Sequence, residues 1–124
     1  MNEYHGFISR LSSELAPGSL IIDCHSFPSD LADIDICIGY NDDASKPEQE
    51  MIDKATHLLD RAGFKVGLNN PYSNSITPKK PIDYKSLMIE VNKRCYMNEG
   101  TLARTVGYDI ISGLVNDFYR LVLA

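Results

Sequence analysis

Residues 20–28 read LIIDCHSFP, an apolar run that ends in charged and polar side chains, with Asp23 and His25 among them. The apolar start predicts a buried strand. Because side chains alternate faces along a strand, Asp23 and His25 are expected to point the same way. They lie where the chain leaves the sheet, a common place for chemistry in α/β proteins. A simpler alternative is a hydrogen-bonded Asp–His contact that caps the strand.

Strand and helix patterns alternate along the rest of the chain. The strands are predicted at 19–23, 34–39, 64–68 and 86–92, and the first and last helices at about 2–15 and 101–122. A middle helix is predicted between the capping box 45–48 and a cap at Gly63. A polar loop, 69–81, precedes the fourth strand. This order predicts one α/β layered domain over 1–124, with a mixed or mainly parallel sheet of about four strands flanked by about three helices.

The last helix is predicted to carry a wide apolar face, with Gly107 and Gly113 allowing close packing. Its apolar positions are Leu102, Val106, Ile110, Ile111, Leu114, Val115, Phe118, Leu121 and Val122. A face of this width covers a sheet and still contacts a neighbour.

Composition excludes several classes of function. A net charge of -5 and a pI near 5.0 argue against nucleic-acid binding, because the basic pairs Lys79-Lys80 and Lys93-Arg94 are too short for a phosphate-binding patch. No apolar run is long enough to span a membrane. Three cysteines without CxxC spacing indicate a reducing, cytoplasmic setting, in which Cys24 and Cys37 are interpreted as core residues.

Glu90 interrupts the apolar fourth strand and is the most informative polar residue. A buried carboxylate needs a cation, a metal or good hydrogen-bond donors. One interpretation is an ion pair with Lys93 or Arg94. Another is a hydrolytic zinc site, in which a histidine such as His25 binds the metal and the carboxylate activates water.

Four segments in order resemble the N-formylglutamate amidohydrolase family, whose fold is related to that of the zinc carboxypeptidases. They are LIIDCHSFPS, IDICIG, VGLNNPYSNSITP and LMIEVNKRCYM. The resemblance implies a zinc-dependent hydrolase of carbon–nitrogen bonds other than peptide bonds. Its substrate would be a small carboxylate-bearing amide, such as the formyl amide of glutamate.

The resemblance also implies roles for individual residues. His25 corresponds to a histidine metal ligand, Glu90 to the carboxylate that activates water, and Asp23 is placed to orient the imidazole of His25. The substrate-binding positions are Asn69, Tyr72, Ser73, Asn92 and Lys93. Lys93 stands where the family usually has arginine, so it offers a point charge in place of a two-pronged fork.

The resemblance concerns only the C-terminal half of the family's proteins. His25 is the single ligand it identifies, while His5 and His57 are expected to be surface or boundary histidines, so the zinc site is expected to be incomplete in this chain. Two alternatives stay open: a shortened, assembled hydrolase, or a catalytically silent binding or assembly module that retains the fold and pocket. An unpaired strand edge and an apolar surface predict a homodimer or higher oligomer.

Overall fold

The computed structural model of the chain describes residues 19–71, 75 and 84–123. The predicted helix at 2–15, with His5, lies outside these residues. So do most of the loop 69–81 and, with it, Tyr72 and Ser73. Neither of the helices in the described part is long and apolar enough to cross a membrane.

Four strands form a mixed sheet, which confirms the predicted α/β fold class. They are β1 (Ser19–Phe27), β2 (Ile36–Tyr40), β3 (Val66–Leu68) and β4 (Tyr84–Asn92). The spatial order is β1-β4-β2-β3. Strand β4 runs parallel to β1 and antiparallel to β2, while β2 and β3 are parallel. Strand β1 is therefore at one edge and extends four residues beyond the predicted end at residue 23.

Two helices, α1 (Gln49–Arg61) and α2 (Gly107–Leu123), cover one face of the sheet. On β4, alternate residues Leu87, Ile89 and Val91 point toward them, as period-two alternation requires. The main core consists of Ile36, Ile38, Ala55, Leu59, Leu87, Ile89, Val91, Ile111, Leu114, Phe118 and Val122. A smaller buried cluster of Phe27, Cys37 and Met88 lies on the opposite face. The site described below occupies that second face.

Helix α1 confirms the predicted C-terminal cap and contradicts the predicted capping box. Gly63 has a φ of 94°, and its N–H donates to the carbonyl of Asp60, a geometry that glycine adopts at no steric cost. The helix begins at Gln49, and its N-cap Glu48 makes no side-chain cap. Ser45 instead donates its hydroxyl to Asp43 and accepts a hydrogen bond from Asn41, because it belongs to the turn before the helix.

Helix α2 begins six residues later than predicted. Leu102 has a φ of 62°, and the segment before the helix folds into a turn in which the Leu102 N–H donates to Asn98 and the Thr105 N–H donates to Tyr96. Leu102, Val106 and Ile110 are consequently exposed, at 74%, 89% and 60%. The helix buries a narrower face than the sequence predicted.

Candidate functional site

The strand register places His25 and Glu90 on the same face of the sheet. His25 lies opposite Glu90 on the neighbouring parallel strand, and Cys37 of β2 lies opposite Glu90 on its other side. Residues in register on adjacent strands point to the same face, so these three side chains form a row across the sheet. Neither α1 nor α2 packs on this face.

Asp23 and His25 form a direct pair. The Nε2 atom of His25 lies 2.8 Å from Oδ2 of Asp23, and the side chains are 42% and 15% exposed, respectively. This confirms the predicted Asp–His contact, but the expectation that it caps the strand is wrong, because both residues lie within β1 (Ser19–Phe27). A carboxylate in this position fixes the ring orientation of an imidazole. Because the contact uses Nε2, the nitrogen that remains for a further ligand is Nδ1.

Glu90 is only 6% exposed, and its Oε2 atom is buried without a hydrogen-bond partner among the described residues. Burial raises the pKa of the Glu90 carboxyl above its ordinary value, while nearby His25 opposes this shift and nearby Asp23 adds to it. The raised pKa favours a carboxyl that holds or exchanges a proton. Such a group is matched to general acid or base work.

Of the possible ion-pair partners of Glu90, Arg94 is engaged elsewhere. Arg94 instead binds two aspartates that precede β2, with its guanidinium 3.0 Å from Asp33 and 2.9 Å from Asp35. Lys65 also contacts Asp33, at 2.7 Å. Since Arg94 points to this exposed cluster, it leaves the Glu90 carboxyl without its charge.

Asn92 is fully buried and makes backbone hydrogen bonds at the end of β4. Its Nδ2 donates to the carbonyl of Ile34 at 3.0 Å, and its Oδ1 accepts from the N–H of Arg94 at 3.0 Å. It thereby caps the 3₁₀ turn Lys93–Cys95. An asparagine that ends a strand directly before a turn indicates such a cap in the sequence. The substrate-binding role of Asn92 stays a prediction.

Asn69 and Lys93, also predicted to bind substrate, lie apart from one another. The Oδ1 atom of Asn69 accepts from the N–H of Tyr40 at 2.9 Å. Tyr40 pairs with Leu87, three residues before Glu90 on β4, which is about 10 Å along the strand. Lys93 directly follows β4 and is half-buried. Hydrogen bonds with Ser29, and to a smaller extent the charge of Lys93, hold the pKa of Glu99 below its ordinary value. The structure thus brings together Asp23, His25 and Glu90, with Lys93 three residues further along.

The described residues do not supply a zinc site. A catalytic zinc needs three protein ligands, and no group of three His, Cys, Asp or Glu residues in the described part of the chain is arranged to hold a metal ion. His57 lies exposed on α1 and contributes nothing to the Glu90 face. His25, the one metal ligand that the resemblance identifies, lies opposite Glu90.

The sequence predicted the burial of Cys37 correctly and that of Cys24 incorrectly. Cys37 is fully buried in the row with Glu90. The antiparallel register of β2 and β4 places it there, and residue spacing in the sequence does not reveal that register. The interpretation of Cys24 as a core residue is wrong. Its side chain is exposed at the β1 edge, with Sγ 2.9 Å from the hydroxyl of Tyr119.

Comparisons with known proteins identify a family and a fold. The sequence model of the N-formylglutamate amidohydrolase family matches residues 2–97. The crystal structure of N-formylglutamate amidohydrolase from Ralstonia eutropha JMP134 aligns with 86% of this chain and 42% of its own, at 25% identity and a TM-score of 0.64.

A second crystal structure, of a gene product of Agrobacterium tumefaciens, shares the fold. It aligns with 98% of this chain and 49% of its own, at 16% identity and a TM-score of 0.67. No curated protein matches the sequence significantly. The chain therefore spans less than half the length of either structure.

Proposed function

Because the chain belongs to the N-formylglutamate amidohydrolase family, we propose that it is a shortened amide hydrolase domain of that type. It binds a small carboxylate-bearing amide beside Glu90 and does not complete hydrolysis as an isolated chain. The observation that carries this proposal is the buried Glu90 carboxyl, with an unpartnered Oε2 among the described residues, next to the Asp23–His25 pair.

The chemistry follows from these three side chains. Hydrolysis of an amide requires a base that takes a proton from the attacking water and an acid that returns one to the leaving nitrogen. Glu90 is suited to both steps, since burial raises the pKa of its carboxyl. Asp23 holds the His25 ring in one orientation, and Lys93 attracts the carboxylate of the substrate as a point charge.

Incomplete turnover is proposed because the described residues offer too few metal ligands. His25 is the family-type ligand in the described residues, and those residues contain no three-ligand group. The alternative, a catalytically silent binding or assembly module, is favoured by a different observation. Asn69 and Asn92 use their side chains to bond the backbone of the sheet, which is the work of a scaffold.

Setting and assembly complete the proposal. Cys24, Cys37 and Cys95 are all free thiols, which supports a reducing, cytoplasmic location. We also propose that the chain is a homodimer or higher oligomer.

The test combines binding and turnover in one preparation. Calorimetric titration with N-formyl-L-glutamate in the presence of zinc is expected to show saturable binding, while an assay for released formate shows no turnover above that of Glu90→Gln. Glu48→Gln, a change of an exposed carboxylate at the N-cap of α1, is the matched control. Absence of binding would overturn the proposal, and so would zinc-dependent turnover that Glu90→Gln abolishes, because the isolated chain would then be complete. Binding that persists undiminished in Glu90→Gln, His25→Ala and Lys93→Ala would favour the silent module.

A further inference from the structure

A chain of hydrogen bonds joins the end of β2 to the polar segment that follows β3. The Oδ1 atom of Asn41 accepts from the backbone N–H of Ser75 at 3.0 Å, and the hydroxyl of Ser86 on β4 donates to that of Ser75 at 2.8 Å. The Nδ2 atom of Asn41 donates to the hydroxyl of Ser45 at 3.0 Å. Ser75 is thus held through both its backbone and its side chain.

The residues that hold Ser75 are themselves buried. Asn41, Ser45 and Ser86 are 6%, 5% and 0% exposed. A buried amide oxygen that loses its donor keeps the cost of desolvation without the compensating bond, so release of Ser75 from Asn41 is unfavourable. The backbone of β4 reinforces the arrangement, because the N–H of Ser86 donates to the carbonyl of Ser45 at 2.9 Å. Ser75 is therefore firmly anchored to the sheet.

The residue that begins the same segment is also tied to β2. The N–H of Asn69 donates to the carbonyl of Ile38 at 2.8 Å, and its Oδ1 atom accepts from the N–H of Tyr40 at 2.9 Å. Tyr40 and Asn41 are adjacent in the chain. Asn69 and Ser75 are consequently held close to one another at the end of β2.

The Ser75 anchor lies on the face of the sheet that carries Glu90. On β4, Ser86 and Glu90 are four residues apart, so their side chains point to the same side at a separation of about 13 Å along the strand. Met88, between them, belongs to the buried cluster of that face. Ser75 thus contacts the candidate-site face near the start of β4, and Glu90 lies near the end of the same strand.

We propose that Asn41 and Ser86 are positioning residues for ligand binding. By holding Ser75 they fix the segment that contains the predicted substrate-binding residues Tyr72 and Ser73, which precede it by three and two positions. They act through Ser75 and do not contact the ligand. This assignment rests on the proposed function, because it links these side chains to the proposed amide site. A segment whose two ends are already tied loses less conformational entropy when a ligand orders it, so the anchors raise affinity.

The first experiment is a double-mutant cycle on the two hydroxyls, measured by calorimetric titration with N-formyl-L-glutamate in the presence of zinc. Ser86→Ala and Ser75→Ala are each expected to weaken binding about three- to tenfold. The double variant should bind no more weakly than either single variant, because all three lack the same hydrogen bond. Ser75→Thr keeps the hydroxyl and should bind like the wild type. Ser112→Ala, which removes an exposed hydroxyl from α2, is the matched control.

Affinity is compared with stability so that a purely structural effect is recognised. Urea unfolding identifies conditions in which every variant is fully folded, and binding is measured there. Wild-type binding that Ser86→Ala and Ser75→Ala leave unchanged overturns the positioning role and leaves the proposed function standing. Additive losses in the double variant also overturn it, since the two hydroxyls would then act separately.

The second experiment tests the anchor without a ligand. Native-state proteolysis reports how often a segment opens. Cleavage by chymotrypsin after Tyr72, identified by mass spectrometry, is expected to be at least about threefold faster in Asn41→Ala and Ser86→Ala than in the wild type. Cleavage after Phe118, which is fully buried in α2, measures global unfolding in the same samples. Equal cleavage after Tyr72 in all three proteins overturns the positioning role. A wild type that binds no amide overturns the proposed function, and the rate of cleavage after Tyr72 then decides whether Asn41 and Ser86 hold the segment.

Discussion

At the residue scale, Glu90 shows how a strand sequence signals chemistry. An apolar side chain at this position on β4 would complete the buried row between His25 and Cys37. A carboxylate there gives up hydration without gaining a hydrogen bond to Oε2 within the described residues, and this costs stability. The pKa of Glu90 is raised for the same reason. A group that destabilises the fold in this way is a candidate for function.

Replacing Glu90 with glutamine tests this cost through pH. Between the ordinary carboxyl pKa, 4.5, and the raised value in the folded protein, the folded state holds more protons than the unfolded state. Stability of the wild type should therefore fall as pH rises through this window, by up to about 1.4 kcal/mol per pH unit. Glu90→Gln lacks this loss. Its unfolding free energy should therefore increase relative to that of the wild type as pH rises, which urea titration at several pH values measures. Glu48→Gln, which changes an exposed carboxyl, is measured as the control. A difference that is flat with pH for Glu90→Gln would contradict the expectation.

At the scale of elements, local patterns predicted more than long-range ones. Helix α1 and its Gly63 cap follow from apolar spacing and a glycine. The strands were located within a few residues because apolar runs mark them. The predicted starts of both helices were wrong because turns use the same residue types as helix starts. Ser45 belongs to a turn in which its hydroxyl donates to Asp43. Leu102 has a positive φ, which no apolar pattern reveals. Strand order and register depend on contacts between distant segments, so the row of His25, Glu90 and Cys37 could be predicted only in part.

The two glycines of helix α2 lie in different surroundings, so alanine substitutions at them test tight packing and helix propensity separately. A Cβ at Gly107 would overlap the carbonyl oxygen of Cys95, whereas a Cβ at Gly113 would meet open space. Gly107→Ala is therefore expected to destabilise the protein by about 1–3 kcal/mol. Gly113→Ala is expected to stabilise it by about 0.5–1 kcal/mol, because alanine loses less backbone entropy in a helix. Urea unfolding of both variants measures the difference, and a neutral or stabilising Gly107→Ala would show that helix α2 does not pack tightly on the 3₁₀ turn.

At the scale of the whole molecule, one face of the sheet carries the main core and the other carries the candidate site. Helices α1 and α2 build the main core on one face, while the Asp23–His25 pair and Glu90 lie on the other. The ion pairs of Arg94 and the buried Asn92 tie the segment between β1 and β2 to the end of β4, where the Glu90 row lies. This division lets the sheet hold His25 opposite Glu90 without help from the helices. Alternation made that pair predictable, but alternation on its own does not reveal how many further ligands the fold supplies.

Zinc retention tests how much of a metal site the chain contains. A catalytic zinc site requires three protein ligands, and the described residues offer no such group, so we expect the purified chain to retain far less than one zinc per molecule after dialysis against a mild chelator. Inductively coupled plasma mass spectrometry measures the ratio directly. Any zinc held weakly at the Glu90 face should fall further in His25→Ala and stay unchanged in His57→Ala, which alters an exposed histidine of α1. A full equivalent of zinc that survives dialysis, is lost in His25→Ala and is kept in His57→Ala would contradict the expectation. The remaining ligands would then have to come from residues outside the described part of the chain or from another chain.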